Sequence, residues 1–262
     1  MATIHFILQG KGGVGKSMIA SLLYQVLQGN KQHVIAYDTD PVNSTLGGYS
    51  EFTVNQIKIM EHGDIVPRKF DELFQGLADA EENAHVIVDN GASSFVALGA
   101  YLKENEVVQT LQDMGHTVYF HTVITGGQAI RDTMTGLGHI LEKFSGVLLV
   151  VWLNPFFGEI SMDGKPFEKM KLYENNAEKI HKIVRLPAAS PTLNKDLEEL
   201  FAKRLSFETG IATSQNIGIQ SRLRRHWGQI FELLTAALAE HIATTEAAPA
   251  EATSPETEAS NA

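Results

Sequence analysis

Short apolar runs rich in β-branched residues recur along this chain, separated by segments whose apolar positions return every three or four residues. The runs lie at 4–8, 34–37, 86–88, 118–124, 147–153 and 183–186. Their near-continuous hydrophobicity suits strands covered on both faces, as in a parallel sheet. Helical spacing predicts helices over 17–29, 69–82, 96–114, 128–145, 167–181, 193–205 and 219–243. Strand and helix in alternation predict an α/β fold: a doubly wound, mostly parallel sheet with helices on both faces. Ligands of such folds sit beyond the carboxyl ends of the strands, so residues directly after the runs are the first candidates for chemistry. From Thr244 onward the chain turns to Ala, Thr, Glu, Pro and Ser, with no aromatic or large aliphatic side chain. Such a segment cannot bury enough surface to offset the entropy of ordering. The expected organisation is one folded domain over 1–243 and an acidic, disordered tail over 244–262.

The segment after the first run reads Gly10-Lys11-Gly12-Gly13-Val14-Gly15-Lys16-Ser17. It fits the phosphate-cradling P-loop, and its place between an apolar run and a helical pattern is the context that motif needs. Glycines let several backbone N–H groups converge on phosphate oxygens that larger side chains would keep away. Lys16 supplies a point charge for the β and γ phosphates, and the Ser17 hydroxyl can ligate Mg²⁺. Gly10 to Met18 is therefore the expected nucleotide-binding stretch, within a P-loop NTPase fold.

Composition narrows the field. Cysteine is absent, which excludes disulfides, thiolate nucleophiles and iron–sulfur ligation, and with them several relatives of this motif that depend on cysteine. The net charge is −10, which argues against wholesale wrapping of nucleic acid but leaves room for a local basic patch. The longest apolar run, 147–153, is far short of the roughly 20 residues needed to span a bilayer. With no basic segment leading into an apolar stretch at the N-terminus, a cytoplasmic protein without stable membrane insertion is expected.

Two acidic sites follow strands. Asp38-Thr39-Asp40-Pro41 ends the second run, and Asp89 ends the run around Val86 to Val88. Phosphoryl transfer to water needs a metal ion near the phosphates and a group that orients the water, and carboxylates at strand ends can meet both needs. Aspartates after strands also serve as turn formers, so the spacing alone leaves both roles open.

Lys11 within the P-loop, together with Asp38-x-Asp40-Pro41, resembles the deviant Walker A ATPases of the ParA/MinD group over most of residues 3–240. That resemblance implies a Mg²⁺-dependent ATPase that closes as a homodimer around ATP. Lys11 would cross to the partner's nucleotide and Asp40 would position the water. Ser17 and Asp89, with Asp38 beside them, would serve the metal, and Asn154, at the end of a long strand, would contact the adenine. Lys11, Lys16 and Asp40 are thus the expected catalytic residues. Further stretches, among them Val88-Asp89-Asn90-Gly91-Ala92 and Trp152-Leu153-Asn154-Pro155, resemble the conjugative-transfer branch of that group, which implies plasmid transfer and other conjugative-transfer proteins as partners. One departure stands out: Asn90-Gly91-Ala92-Ser93-Ser94 replaces the proline-containing switch usual after the Walker B aspartate. It motivates a second reading, a nucleotide-responsive scaffold or partition-like DNA-binding protein with little hydrolysis.

Arg222, Arg224 and Arg225 precede an amphipathic run and form a candidate DNA or membrane patch, or simply the wet face of a core helix. The ten histidines show no metal-ligand spacing and read as core or edge residues.

Overall fold

The computed structural model describes residues 1–240 and 242, so the expected tail at 244–262 lies outside the described residues. Eleven strands are formed among them: β1 (Thr3–Ile7), β2 (Val34–Asp38), β3 (Val54–Gln56), β4 (Met60–Glu61), β5 (Asp64–Ile65), β6 (His85–Asp89), β7 (Thr117–Thr125), β8 (Leu148–Asn154), β9 (Ser161–Met162), β10 (Lys165–Pro166) and β11 (Ile180–Arg185). Seven of them build one sheet in the order β11-β8-β7-β1-β6-β2-β3, and every neighbouring pair is parallel. The other four form two small antiparallel hairpins.

The helices are α1 (Lys16–Gly29), α2 (Phe70–Ala78), α3 (Phe95–Glu104), α4 (Val107–Asp113), α5 (Ile130–Lys143), α6 (Lys171–Glu174), α7 (Pro191–Ala202), α8 (Phe207–Thr213) and α9 (Ile217–Ala237). Period-two alternation divides the sheet's side chains between two cores. Ile4, Phe6, Val88 and Phe120 pack with α2, α3, α4 and α5 on one face. Ile7, Ile87, Val123 and Trp152 pack with α1, α7, α8 and α9 on the other. The central strand β1 has β6 on one side and β7 on the other. This is where the strand order reverses, and a crevice opens there at the carboxyl ends.

The structure corrects three of the expected helices and adds elements that had no expectation. The helix expected over 96–114 breaks into α3 and α4 at Glu106, whose φ is 49°. The helix expected over 167–181 is reduced to the single turn α6, flanked by 3₁₀ turns, and β11 starts at Ile180. There the Asn176 side chain donates to the Leu172 carbonyl at 2.9 Å, a local bond that competes with continuing the helix. The helix expected over 219–243 runs instead from Ile217 to Ala237. Six of these strands and helices had no expectation: the three-residue edge strand β3, the four short hairpin strands β4, β5, β9 and β10, and α8, whose N-cap Ser206 accepts from the Thr209 N–H at 3.1 Å.

Candidate nucleotide site

The P-loop is tied to its neighbours as soon as it leaves β1. Leu8 N–H donates to the His121 carbonyl on β7 at 2.8 Å. Gln9, fully buried, donates its amide to the carbonyls of Val123 and Thr133 at 3.0 and 3.1 Å. Its Oε1 faces the Lys11 N–H at 3.4 Å. The loop then turns through Gly13 and Gly15, with φ of 73° and 105°, values that favour glycine. Gly15 hands the chain to α1, whose N-terminus carries no side-chain cap and no acidic residue in its first turn. Its free N–H groups and a partial charge of about +0.5 make this end suited to an anion. Lys16 opens the helix and donates from Nζ to the Lys11 carbonyl at 3.1 Å.

The carboxylates arrive from the neighbouring strands. Asp38 and Asp89 are register partners at the ends of β2 and β6, and Asp89 is also paired with Ile7 at the end of β1. The sheet therefore sets both acids beside the P-loop, as the sequence pattern predicts. Their surroundings differ. Asp38 braces the following loop: Oδ1 accepts from Asp40 N–H at 3.0 Å, and Oδ2 accepts from the Ser44 hydroxyl and Gly47 N–H, both at 2.9 Å. Asp40 closes the same loop, its Oδ1 accepting from Val42 and Asn43 N–H at 2.9 and 3.1 Å. Asp89 is buried with neither oxygen hydrogen-bonded among the described residues. Burial pushes its carboxyl up to about 7, against the pull of the Ser17 hydroxyl, while Asp38 adds to the rise and Lys16 opposes it. Burial likewise lowers Lys16, with Asp89 and Asp40 holding it up.

A buried, unsatisfied carboxylate is costly to retain unless something completes it. Ser17 and Asp89 together fit a hard divalent cation, which takes oxygen ligands and keeps several waters. Asp38, expected beside the metal, has both oxygens engaged in the loop.

Asn90 lies at the hub of a network that sequence patterns did not single out. Its Oδ1 accepts from the Thr39 and Ser94 hydroxyls at 3.1 and 2.7 Å, and all three residues are buried. Thr39 N–H also donates to the Asp89 carbonyl at 2.9 Å. The loop after β2 is thereby tied to the loop after β6. The only sequence signal was that departure from the expected proline segment.

Lys11 stands half-exposed at the rim, its Nζ 2.8 Å from a carboxylate oxygen of Asp132 on α5. Asn154 donates to the Val14 carbonyl at 3.1 Å and accepts from Phe156 N–H at 3.2 Å, which pins the end of β8 to the P-loop. Beside it, a cavity of about 220 Å³ is lined by Gly15, Met18, Asn154, Pro187, Phe207 and His226, among others. On α9, Arg222 makes a two-pronged pair with Asp196 at 2.5 and 3.0 Å, while Arg224 and Arg225 are exposed.

A phosphate-cradling loop at the switch point of a parallel sheet, with acids from two adjacent strands beside it, defines a P-loop nucleotide-binding domain. The chain belongs to the CobQ/CobB/MinD/ParA nucleotide-binding domain family, whose sequence model matches residues 5–186. More particularly, it is similar to two Escherichia coli proteins named TraL. One is 45% identical over 237 residues, covering 89% of this chain and 98% of the relative. The other is 42% identical over 240 residues, covering 90% and 99%. Similar solved structures include the septum site-determining protein MinD from Pyrococcus horikoshii complexed with Mg-ADP. It shows 14% identity and a TM-score of 0.46 over 90% of this chain and 98% of that one. A plasmid partition protein from Borrelia burgdorferi bound to AMPPNP shows 16% identity and a TM-score of 0.46, over 88% and 99%.

Proposed function

We propose that the chain is a Mg²⁺-dependent ATPase that switches between monomer and ATP-closed homodimer, and that it serves plasmid conjugative transfer in the cytoplasm. The observation that carries the chemistry is Asp89: a buried carboxylate with neither oxygen in a well-formed hydrogen bond among the described residues, one strand from the P-loop and under the pull of the Ser17 hydroxyl and Lys16. Mg²⁺ held through Ser17 and Asp89 would neutralise charge on the phosphates. Backbone N–H groups from Gly10 to Ser17 hold the triphosphate, Lys16 binds its far end, and the cavity beside Met18 and Asn154 receives the base. Asp40 orients the attacking water; its Oδ2 makes no hydrogen bond among the described residues, and its Oδ1 is fixed by the turn.

The dimer reading is supported at the rim. Val42, Val96 and Phe157 are exposed apolar side chains within a few residues of Asp40, Ser94 and Asn154 respectively. Exposed apolar surface around a polar site is a common mark of a docking face. Among the described residues the Lys11 ammonium is held by one surface ion pair, to Asp132, worth about 0–1 kcal/mol, so little opposes its transfer to a second copy. Lys11 is the residue that would complete the partner's site, and in trans cations of this kind are worth about 10³–10⁵ in rate where they are arginines. The catalytic domain is taken as 1–243.

A partner role with other conjugative-transfer proteins follows from the similarity to TraL, a name the relatives carry. DNA contact would rest on Arg224 and Arg225, since Arg222 is engaged by Asp196. No helix among the described residues is long and apolar enough to cross a membrane. The scaffold reading with little hydrolysis is favoured by one observation, the Thr39-Asn90-Ser94 network, which restrains the loops a fast cycle would move.

Size-exclusion chromatography with light scattering tests the switch. The parent should run as a monomer with ADP and as a dimer with a non-hydrolysable ATP analogue, and Lys11→Ala should remain monomeric. Single-turnover ATP cleavage, with Asp40→Ala as the inactive control, separates ATPase from scaffold. A parent that stays monomeric under every nucleotide condition refutes the dimer.

A further inference from the structure

We propose that His226 selects the base: from α9 it meets the edge of the heterocycle in the cavity beside the P-loop and, with Glu198, favours a 6-aminopurine over a 6-oxopurine. The proposal rests on the nucleotide-binding reading above and extends it to specificity.

The cavity is continuous with the phosphate site, because Gly13, Val14 and Gly15 form part of its wall. At about 220 Å³ it is smaller than the roughly 300 Å³ at which pockets for drug-sized ligands begin, a size suited to one heterocycle. Leu22, Leu197, Phe207 and Ile230 contribute apolar wall, which offers an aromatic ring surface to pack against but nothing to distinguish one base from another.

Recognition therefore depends on the few polar side chains in the lining. Asn154, the residue that the family resemblance offers for this purpose, donates to Val14 and accepts from Phe156, which commits its oxygen and one of its two N–H groups to fixing the loop. Asn194, Glu198 and His226 remain. Of these His226 is 5% exposed, and its ring makes no hydrogen bond among the described residues. The ring lies in the cavity lining and neither nitrogen is among the fully buried, unpartnered polar atoms, so its polar edge stays accessible to a ligand that brings the complementary atom. Burial, with Arg225 next in effect, lowers its pKa, so near neutral pH the ring is uncharged and one nitrogen can accept. Glu198, exposed at the cavity lining, offers carboxylate oxygens that can only accept. With its unprotonated nitrogen turned to the base, His226 joins the Glu198 carboxylate as a second acceptor, an arrangement that suits the exocyclic amine of adenine and opposes the carbonyl oxygen of guanine. Sites built to hydrogen-bond a substrate group discriminate strongly, because a mismatched ligand leaves buried polar groups unpaired.

The test is calorimetric titration of the full chain, in Mg²⁺ buffer, with ATP, GTP and inorganic tripolyphosphate. The parent should bind ATP more tightly than GTP. His226→Leu should lower the ATP-to-GTP affinity ratio about tenfold, the equivalent of about 1.4 kcal/mol, while tripolyphosphate binding stays unchanged. His226→Gln, whose amide can still accept, should recover part of the ratio; this variant also decides the matter if the leucine variant fails to fold. A ratio unchanged within twofold in both variants, or a parent without preference, overturns the role of His226 and leaves nucleotide binding intact. A parent that binds neither nucleotide overturns both.

Discussion

Asp89 shows what a single buried acid costs the fold, a cost that its proposed role at the metal would explain. An unfolded chain releases the proton of an aspartate near pH 4, whereas the folded chain holds this one to about 7. The folded state is therefore penalised as pH rises above 4, by about 1.4 kcal/mol for each pH unit, until the folded chain also releases the proton near pH 7. Asp89→Asn removes that charge. At pH 8, without nucleotide or metal, the variant should melt several degrees higher than the parent, as followed by circular dichroism. It should also lose the Mg²⁺ dependence of ATP binding. A variant that melts lower at pH 8 would show that Asp89 is satisfied in solution. Such a gain in stability with a loss of function is what a site held in readiness for a ligand predicts.

At the scale of elements, the loops after β2 and β6 behave as one unit. Beyond the Thr39-Asn90-Ser94 bonds, a Cβ added to Gly91 would lie 2.7 Å from Asp40 Cγ and 3.0 Å from its Cα. Only glycine lets the second loop approach Asp40 this closely. Gly91→Ala should push Asp40 out of place, lowering single-turnover cleavage at least tenfold with nucleotide affinity unchanged within about threefold, and cost about 1–3 kcal/mol in stability. Unimpaired cleavage would show that Asp40 does not depend on this contact. This pairing marks the limit of what the sequence makes legible. The strands that carry the site, β1, β2 and β6, are plain in the apolar runs, and the P-loop and its flanking helix follow from motif and period together. The contact between Gly91 and Asp40 is not, because it joins residues 51 positions apart through a register that only the assembled sheet sets. His226 was hidden for a related reason: on one helix it is a polar residue inside an apolar stripe, and the cavity it lines also needs α1, β8 and α7. The misread helix at 167–181 has a local cause instead, since Phe167 and Met170 are buried in the core as helical spacing requires but from turns.

Across the whole molecule, a chain of imidazoles links four strands. Trp152 Nε1–H on β8 can only donate, and it meets His121 Nδ1 on β7 at 3.0 Å. His121 Nε2 is therefore the protonated nitrogen and donates to His5 Nδ1 on β1 at 3.0 Å. His5 Nε2 in turn donates to His85 Nδ1 on β6 at 3.1 Å. One indole thus sets the tautomers of three buried rings, and an extra proton has no acceptor along that line. Burial lowers His121 to about 3, so as pH falls below about 6.5 the unfolded chain takes up a proton that the folded chain refuses, and stability declines toward pH 3. Asp89 acts in the opposite sense over part of that range. Between about pH 4 and 6.5 the folded parent carries a proton on Asp89 that the unfolded chain lacks, which offsets the one the unfolded chain carries on His121. Removing Asp89 should unmask the histidine. Denaturant unfolding of Asp89→Asn should therefore lose stability with falling pH more steeply than the parent, by about 1.4 kcal/mol per pH unit between 4.5 and 6. The double variant with His121→Gln should return toward the parent's slope. Parallel slopes for parent and Asp89→Asn would mean that the two buried groups do not oppose each other, and that the acid response of the fold is set elsewhere in the sheet.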